Sequence, residues 1–145
     1  MRFMAIVKAN KDSEAGVMPS KELLAAMAKF NEELIKAGVL LAAEGLQASS
    51  KGARIRFSGA TRRVIDGPFT ESKELIGGFW LLQVKSKEEA IEWIKRSPNP
   101  FEGESEIEIR QVFEASDFPA EIFPPKDAAR EQQLRDELQR KAAKP

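Results

Sequence analysis

The chain has 145 residues, no cysteine, histidine or tyrosine, and 23 basic residues that balance 23 acidic ones. The length fits one domain, and the balanced charge gives no net field that would draw the protein to nucleic acid or to an anionic membrane. Without Cys and His, the sequence excludes disulfides, thiolate nucleophiles, Ser-His-Asp triads and zinc sites built on thiolate or imidazole. Any catalysis has to use Asp, Glu, Lys, Arg, Ser or Thr.

No apolar run approaches the roughly 20 residues of a membrane span. The N-terminus opens directly into a predicted strand rather than into a signal peptide. We therefore expect a cytoplasmic protein that uses no cofactor and no metal, and that binds neither membrane nor nucleic acid.

The first half of the chain predicts a strand, a loop, a helix and a second strand. Arg2 to Ala9 is the first strand, and its apolar residues fall on both sides: Phe3, Ala5 and Val7 on one, Met4 and Ile6 on the other. Residues 10–19 are polar and predict a loop. Ser20 is a suitable N-cap for a helix whose apolar residues recur at helical spacing until Gly38. Residues 39–46 predict the second strand.

A hairpin, a central strand, a second helix and a last strand follow. Residues 54–58 and 61–66 predict the hairpin, and residues 75–84 predict a strand that is apolar on both sides. Ser86 and Glu89 form a capping-box pattern that opens a helix, which stops before Pro98. Residues 106–114 predict a last strand with Ile107, Ile109 and Phe113 on one face.

The order β-α-β-hairpin-β-α-β predicts an α+β protein with a ferredoxin-like βαββαβ antiparallel sheet and both helices on one face. Leaving the apolar second face in water would forfeit about 1.5–3 kcal/mol for each large side chain that could be buried. A twofold partner that packs sheet against sheet would cover it, giving a homodimeric α/β barrel. The alternative cover is the C-terminal segment. We divide the chain into residues 1–118, the ferredoxin-like domain, and residues 119–145, a linker and helical tail.

The segment Asp66-Gly67-Pro68-Phe69-Thr70-Glu71-Ser72-Lys73-Glu74, followed by Gly77-Gly78-Phe79-Trp80, resembles the DGPF branch of the YCII-related family. The likeness runs from Met1 to about Phe118 and implies the same dimeric α/β barrel. It also implies an occasional link to transcription regulation. Some relatives are thought to carry a His–Asp pair, but this chain has Ala28 or a neighbour and Ser97 at the corresponding places.

Asp66 is the candidate catalytic residue. A carboxylate beside a rigid Gly-Pro turn near strand ends could serve as a general base. The alternative is structural, because Asp before Gly is a routine turn-former.

Glu44, Arg54, Arg56 and Trp80 are the candidate ligand-binding residues. If they converge at an intersubunit cleft, they could bind a small anionic or zwitterionic molecule. The alternative is that the charged residues lie on a solvated face and that Trp80 belongs to the core.

Two functions remain open from the sequence. The preferred one is a non-catalytic homodimeric module that binds a small ligand or a protein in an intersubunit cleft. The alternative is a histidine-independent enzyme, of lyase or isomerase type, that acts on a small polar substrate with Asp66 as base.

Overall fold

The computed structural model describes residues 1–71 and 74–143, which form six strands and four α-helices. In chain order these are β1 Arg2–Lys8, α1 Lys11–Glu14, α2 Lys21–Lys36, β2 Leu40–Gly45, β3 Ala53–Ser58, β4 Thr61–Asp66, β5 Ile76–Gln83, α3 Lys87–Ile94, β6 Ile107–Gln111 and α4 Pro125–Ala142. Four strands make one antiparallel sheet in the order β2-β5-β1-β6. This order confirms the predicted α+β class and its ferredoxin-like topology. Of the DGPF segment, Ser72 and Lys73 lie outside the described residues.

The hydrophobic core lies between one face of the sheet and the two helices α2 and α3. Phe30 and Leu34 of α2 and Ala90 and Ile94 of α3 are buried. They join a single cluster with alternate residues of the strands, namely Phe3, Ala5, Val7, Trp80 and Leu82. Phe30 meets Trp80 edge to face, with ring centroids 5.7 Å apart. Both helices therefore cover the same face of the sheet, as predicted.

The other face of the sheet is also apolar in its two central strands. Met4 and Ile6 of β1 alternate with the core residues of that strand, and they pair with Leu81 and Phe79 of β5. At the edge, the same face carries Glu108 and Arg110 of β6. The prediction of a two-sided apolar sheet is thus confirmed, whereas the dimeric barrel stays a prediction.

Residues 10–19, which the sequence analysis interpreted as a loop, contain the short helix α1. The side chain of Asn10 accepts a hydrogen bond from the Ser13 backbone N–H at 2.8 Å, and the Ser13 hydroxyl meets the Asn10 N–H at 3.0 Å. This reciprocal arrangement is a capping box built on Asn and Ser rather than on Ser and Glu. The loop interpretation was therefore wrong for Lys11–Glu14, and the Asn-x-x-Ser spacing was the missed signal.

The predicted starts of α2 and α3 are confirmed by their caps. Ser20 Oγ accepts from the Leu23 N–H at 3.0 Å, and Ser86 Oγ accepts from the Glu89 N–H at 3.1 Å. The Glu89 carboxylate returns to the Lys85 N–H at 2.9 Å, one residue before the N-cap. At α3 the glutamate therefore accepts from the N–H of Lys85, whereas in a standard capping box it would accept from the N–H of the N-cap Ser86.

Strands β3 and β4 form a separate two-stranded sheet, here called the hairpin. Every residue from 50 to 64 is exposed. One face of the hairpin is apolar, with Ile55, Phe57 and Val64 at 57%, 68% and 64% exposure. A two-stranded hairpin with no cover is marginally stable in water, so its base has to be held by the rest of the protein.

The loop after β4 holds the base of the hairpin. The Gly67 N–H donates to the Gly52 carbonyl at 3.0 Å, and the Phe69 N–H donates to Ser49 Oγ at 3.0 Å. The Gly67–Pro68 peptide bond is cis, and Gly67 is not among the residues with positive φ. The φ of Gly67 therefore does not explain why glycine is needed there. Glycine is required because a Cβ there would lie 1.8 Å from the Ser49 carbonyl oxygen.

The chain from Phe113 onward forms a second compact unit, described here by itself. Phe118 packs against Phe113 and Phe123 with ring centroids 4.9 and 5.9 Å away, and α4 carries two ion pairs, Glu131–Arg135 at 2.6 Å and Glu137–Lys141 at 3.1 Å. Because β6 ends at Gln111, the prediction that the last strand includes Phe113 is wrong. The predicted boundary at residue 118 stays a prediction.

We expect Gly67→Ala to lower the free energy of unfolding by about 1–3 kcal/mol, since the new methyl group would overlap the Ser49 carbonyl. Gly45→Ala is the matched control, because a Cβ at Gly45 meets nothing within 4 Å. Urea unfolding measures both variants. Equal stability of the two would contradict the proposed close packing of the loop.

Candidate functional site

A cavity of about 930 Å³ opens at the end of the sheet where β2 stops and β5 begins. Its walls come from the segment around α1, from the N-terminal half of α2, from the end of β2 and from the loop before β6. This volume lies within the range of small-molecule sites, which combine an apolar lining with a few polar groups.

The apolar wall is built on Trp80, whose side chain belongs to the core and also lines the cavity. Trp80 is 4% exposed, and its indole Nε1–H donates to Asn31 Oδ1 at 2.7 Å. Leu23, Met27 and Phe101 complete this wall and are half-buried. The hydrogen bond fixes the indole plane, so the wall is preformed.

The polar part of the cavity lining is acidic. Four carboxylates line it, from Asp12, Glu14, Glu44 and Glu102, and Lys51 is the single basic residue among the described lining residues. Carboxylates accept hydrogen bonds and attract positive charge. The cavity therefore favours a ligand that carries N–H donors or a cation.

Glu14 connects α1, through Ser49, to the loop after β4, which contains the DGPF segment. Its Oε2 accepts from the Ser49 N–H at 2.7 Å, and the Ser49 hydroxyl oxygen accepts from the Phe69 N–H at 3.0 Å. Its other oxygen, Oε1, is shielded from solvent and has no hydrogen-bond partner among the described residues. Leaving a shielded carboxylate oxygen without a donor costs free energy, so the oxygen favours any donor that a ligand brings.

Gly78 lets β2 approach β5 at the back of the cavity. A Cβ at Gly78 would lie 2.9 Å from the Glu44 carbonyl oxygen. Glycine at this position therefore permits a close approach of the two backbones. It also places Glu44, at the end of β2, directly at the cavity.

The structure separates the residues that the sequence analysis had grouped. Glu44 and Trp80 both line the cavity, whereas Asp66, Arg54 and Arg56 are exposed and lie outside its lining. The Arg54 guanidinium lies 3.8 Å over the centroid of the Phe69 ring. Glu14, which the sequence analysis did not select, supplies the shielded carboxylate instead.

Glu71 and Glu74 form a pair of carboxylates in the segment between β4 and β5. A hydrogen bond that protonated Glu74 donates to the Glu71 carboxylate, together with the negative charge of Glu71, raises the pKa of Glu74 from its ordinary value of 4.5. The nearby Arg54 guanidinium acts in the opposite direction, and the raising influences prevail. The pair lies at the surface, so salt screens its charges.

Within residues 1–71 and 74–143 there is no group of three or more acidic side chains placed to hold a metal ion. In that part of the chain, no helix combines the length and apolarity needed to cross a membrane.

The chain was compared with known families, proteins and structures. It matches the YCII-related domain over residues 1–116. It is similar to an uncharacterised protein of Rhizobium meliloti (strain 1021), with 28% identity over 113 residues that cover 77% of this chain and 86% of the relative. Among solved structures it is similar to 5-chloro-2-hydroxyhydroquinone dehydrochlorinase (TftG) from Burkholderia phenoliruptrix AC1100 in complex with 2,5-dihydroxybenzoquinone. That likeness has 16% identity, a TM-score of 0.43, and coverage of 82% of this chain and all of the other.

We expect Glu71→Gln to change how stability depends on pH. A raised pKa in the folded state means that the folded protein binds the Glu74 proton more tightly than the unfolded chain does. The resulting stabilisation is present below about pH 4.5 and is lost as pH rises through the raised pKa. Glu71→Gln removes the repulsion, so relative to wild type it should gain stability from pH 4 to pH 7.

Urea unfolding at the two pH values, at low salt, measures this difference. Glu22→Gln, at an exposed acid in the first turn of α2, is the control for loss of one negative charge. A difference between variant and wild type that stays constant with pH would contradict the coupling of the two carboxylates.

Proposed function

Because this chain belongs to the YCII-related domain family, we propose that it is a homodimeric, non-catalytic module whose cavity binds a small molecule. The observation that carries the proposal is the Glu14 carboxylate, which lines the cavity and keeps one shielded oxygen without a donor. Natural proteins satisfy such groups in nearly every case, so an exception beside a cavity indicates a group that a ligand completes.

The ligand that fits this lining has a donor-bearing head and an apolar body. The head, an amine or amide N–H, would bind the Glu14 Oε1, with Glu44 and Asp12 close enough in the lining to favour positive charge. The body would lie along Trp80 and Met27. A flat or aliphatic body gains about 25 cal/mol for each Å² of apolar surface removed from water.

The absence of an imidazole supports a binding role over a catalytic one. The chain has no histidine, and the positions that the family resemblance assigns to a His–Asp pair hold Ala28, or a neighbour, and Ser97. A binding module requires none of these groups. The link to transcription regulation and the cytoplasmic location stay predictions.

The homodimer is part of the proposal because of the second apolar face of the sheet. Met4, Ile6, Phe79 and Leu81 form a row of apolar side chains across the two central strands, opposite the helices. A twofold partner would bury the same residues of both copies at once. Most of the cavity lining lies on the helix side, and Phe79 of the dimer face also lines it.

The alternative is a histidine-independent enzyme of the lyase or isomerase type. The shielded oxygen of Glu14 favours this alternative too, because a carboxylate short of hydrogen bonds can accept a proton from a bound substrate. Asp66, the base that the sequence suggested, is exposed and lies outside the cavity lining. A reaction in this cavity would use Glu14 rather than Asp66.

We expect a thermal-shift screen of small amines and amides with aromatic or aliphatic bodies to give ligands that stabilise the wild-type protein. A ligand at 100 times its dissociation constant should add about 2.7 kcal/mol to the free energy of unfolding. Glu14→Gln should weaken these ligands at least tenfold, and Leu24→Trp, at an exposed lining residue, should block them. Glu22→Gln is the matched control, since Glu22 lies outside the lining. Equal affinity in the Glu14 and Glu22 variants would contradict the site.

For the enzymatic alternative, we expect that compounds found in this screen are returned unchanged after incubation with the protein, as followed by mass spectrometry. Conversion of a compound would overturn the non-catalytic proposal. If conversion is seen, its loss in Glu14→Gln and its persistence in Asp66→Asn would place the base in the cavity. The reverse result would restore Asp66 as the base.

A further inference from the structure

The hairpin carries a strong positive charge. Residues 51–66 contain five Lys and Arg residues and one Asp. Arg56 and Arg63 lie directly opposite each other in the ladder, on the face that also carries Arg54. Like charges in this position repel, and neither arginine has an ion-pair partner within residues 1–71 and 74–143. The face therefore favours an anionic surface against it.

Residues 97–106, here called the acidic loop, carry the opposite charge. The loop contains Glu102, Glu104 and Glu106 and no basic residue. All three glutamates are exposed, and in the described part of the chain none of them forms an ion pair. A chain with no net charge thus holds a basic hairpin and an acidic loop that do not neutralise each other.

The sheet places these two segments at the same end but at opposite edges. Gly45, Gly78, Val7 and Ile107 pair in one row across the sheet. Gly45 ends β2 and precedes the hairpin, and Ile107 starts β6 and follows the acidic loop. With strands about 4.8 Å apart, the two edges of a four-stranded sheet are about 14 Å apart.

A twofold axis parallel to the strands brings the two segments of different copies together. When two such sheets pack face to face about this axis, β2 of one copy lies beside β6 of the other, and the strand ends stay aligned. This arrangement places the hairpin of each copy beside the acidic loop of the other.

We infer that the arginine face of the hairpin docks on the acidic loop of a second copy of this chain, which rests on the homodimer proposed above. The contact occurs twice in the dimer, and each copy contributes one basic and one acidic side. Arg56 and Arg63 are the central cations, and Glu104 and Glu106 are their counter-charges.

The contact also completes the ligand site. Phe101 and Glu102 of the acidic loop line the cavity, whose only basic residue among the described lining is Lys51. A hairpin docked on that loop brings the second copy's arginines to the rim of the cavity. Arg56, which lies outside the cavity of its own chain, thereby contributes to the cavity of the other copy, where it would select ligands that carry an acid as well as an amine.

Charge reversal tests the inference by sedimentation velocity at micromolar concentration and low salt. The double variants Arg56→Glu/Arg63→Glu and Glu104→Arg/Glu106→Arg should each raise the dissociation constant of the dimer at least tenfold. An equimolar mixture of the two should return to wild-type affinity, because both contacts of the mixed dimer are then complementary. The four substitutions in one chain should also restore the dimer.

The controls separate this contact from folding and from the proposed function. Lys21→Glu/Lys29→Glu on α2 makes the same change in net charge as Arg56→Glu/Arg63→Glu and should leave the dimer intact. Circular dichroism checks that each variant folds. Dimers of wild-type affinity in both reversed variants, or no recovery in the mixture, would overturn the hairpin contact while leaving the dimer in place. A wild-type monomer would overturn the dimer and the hairpin contact together, while ligand binding to the cavity is measured separately by thermal shift.

Discussion

The hydrogen-bonded connection from Glu14 through Ser49 to Phe69 holds α1 and the loop after β4 together at the end of the sheet where the cavity opens. One carboxylate oxygen holds the Ser49 backbone, and the Ser49 hydroxyl holds the loop after β4. Gly67 permits the approach because no side chain stands between it and the Ser49 carbonyl. The DGPF segment thus has a structural role. It fixes the base of the hairpin and, at the same time, one wall of the cavity.

The same connection leaves the second oxygen of Glu14 without a donor. A carboxylate held on one side and unsatisfied on the other is suited to binding, because it is already oriented and has lost much of its hydration. The Trp80 side chain on the apolar side of the cavity is likewise oriented before any ligand binds, because its indole N–H is hydrogen-bonded to Asn31. Hydrogen bonds therefore orient both Glu14 and Trp80 in the cavity wall.

Charge is the second organising feature, and the zero net charge of the chain conceals it. The cavity and the loop before β6 are acidic, while the hairpin is basic. In the proposed homodimer, the basic hairpin of one copy and the acidic loop of the other would attract each other.

The sequence by itself determined the α+β class, the two-sided apolar character of β1 and β5, the caps at Ser20 and Ser86, and the hairpin. These follow from alternation and capping, which are local properties of the chain. Glu44 and Trp80, two of the residues that the sequence suggested for ligand binding, both line the cavity.

Only the tertiary structure decided the role of Glu14 and the exclusion of Asp66, Arg54 and Arg56 from the cavity of their own chain. Glu14 meets Ser49 across 35 residues of sequence, and no local pattern encodes such a contact. Gly67 illustrates the same difference. Its pairing with Asp66 predicted a turn, yet the physical reason for glycine is the carbonyl oxygen of Ser49, which only the folded chain brings within 1.8 Å of the missing Cβ.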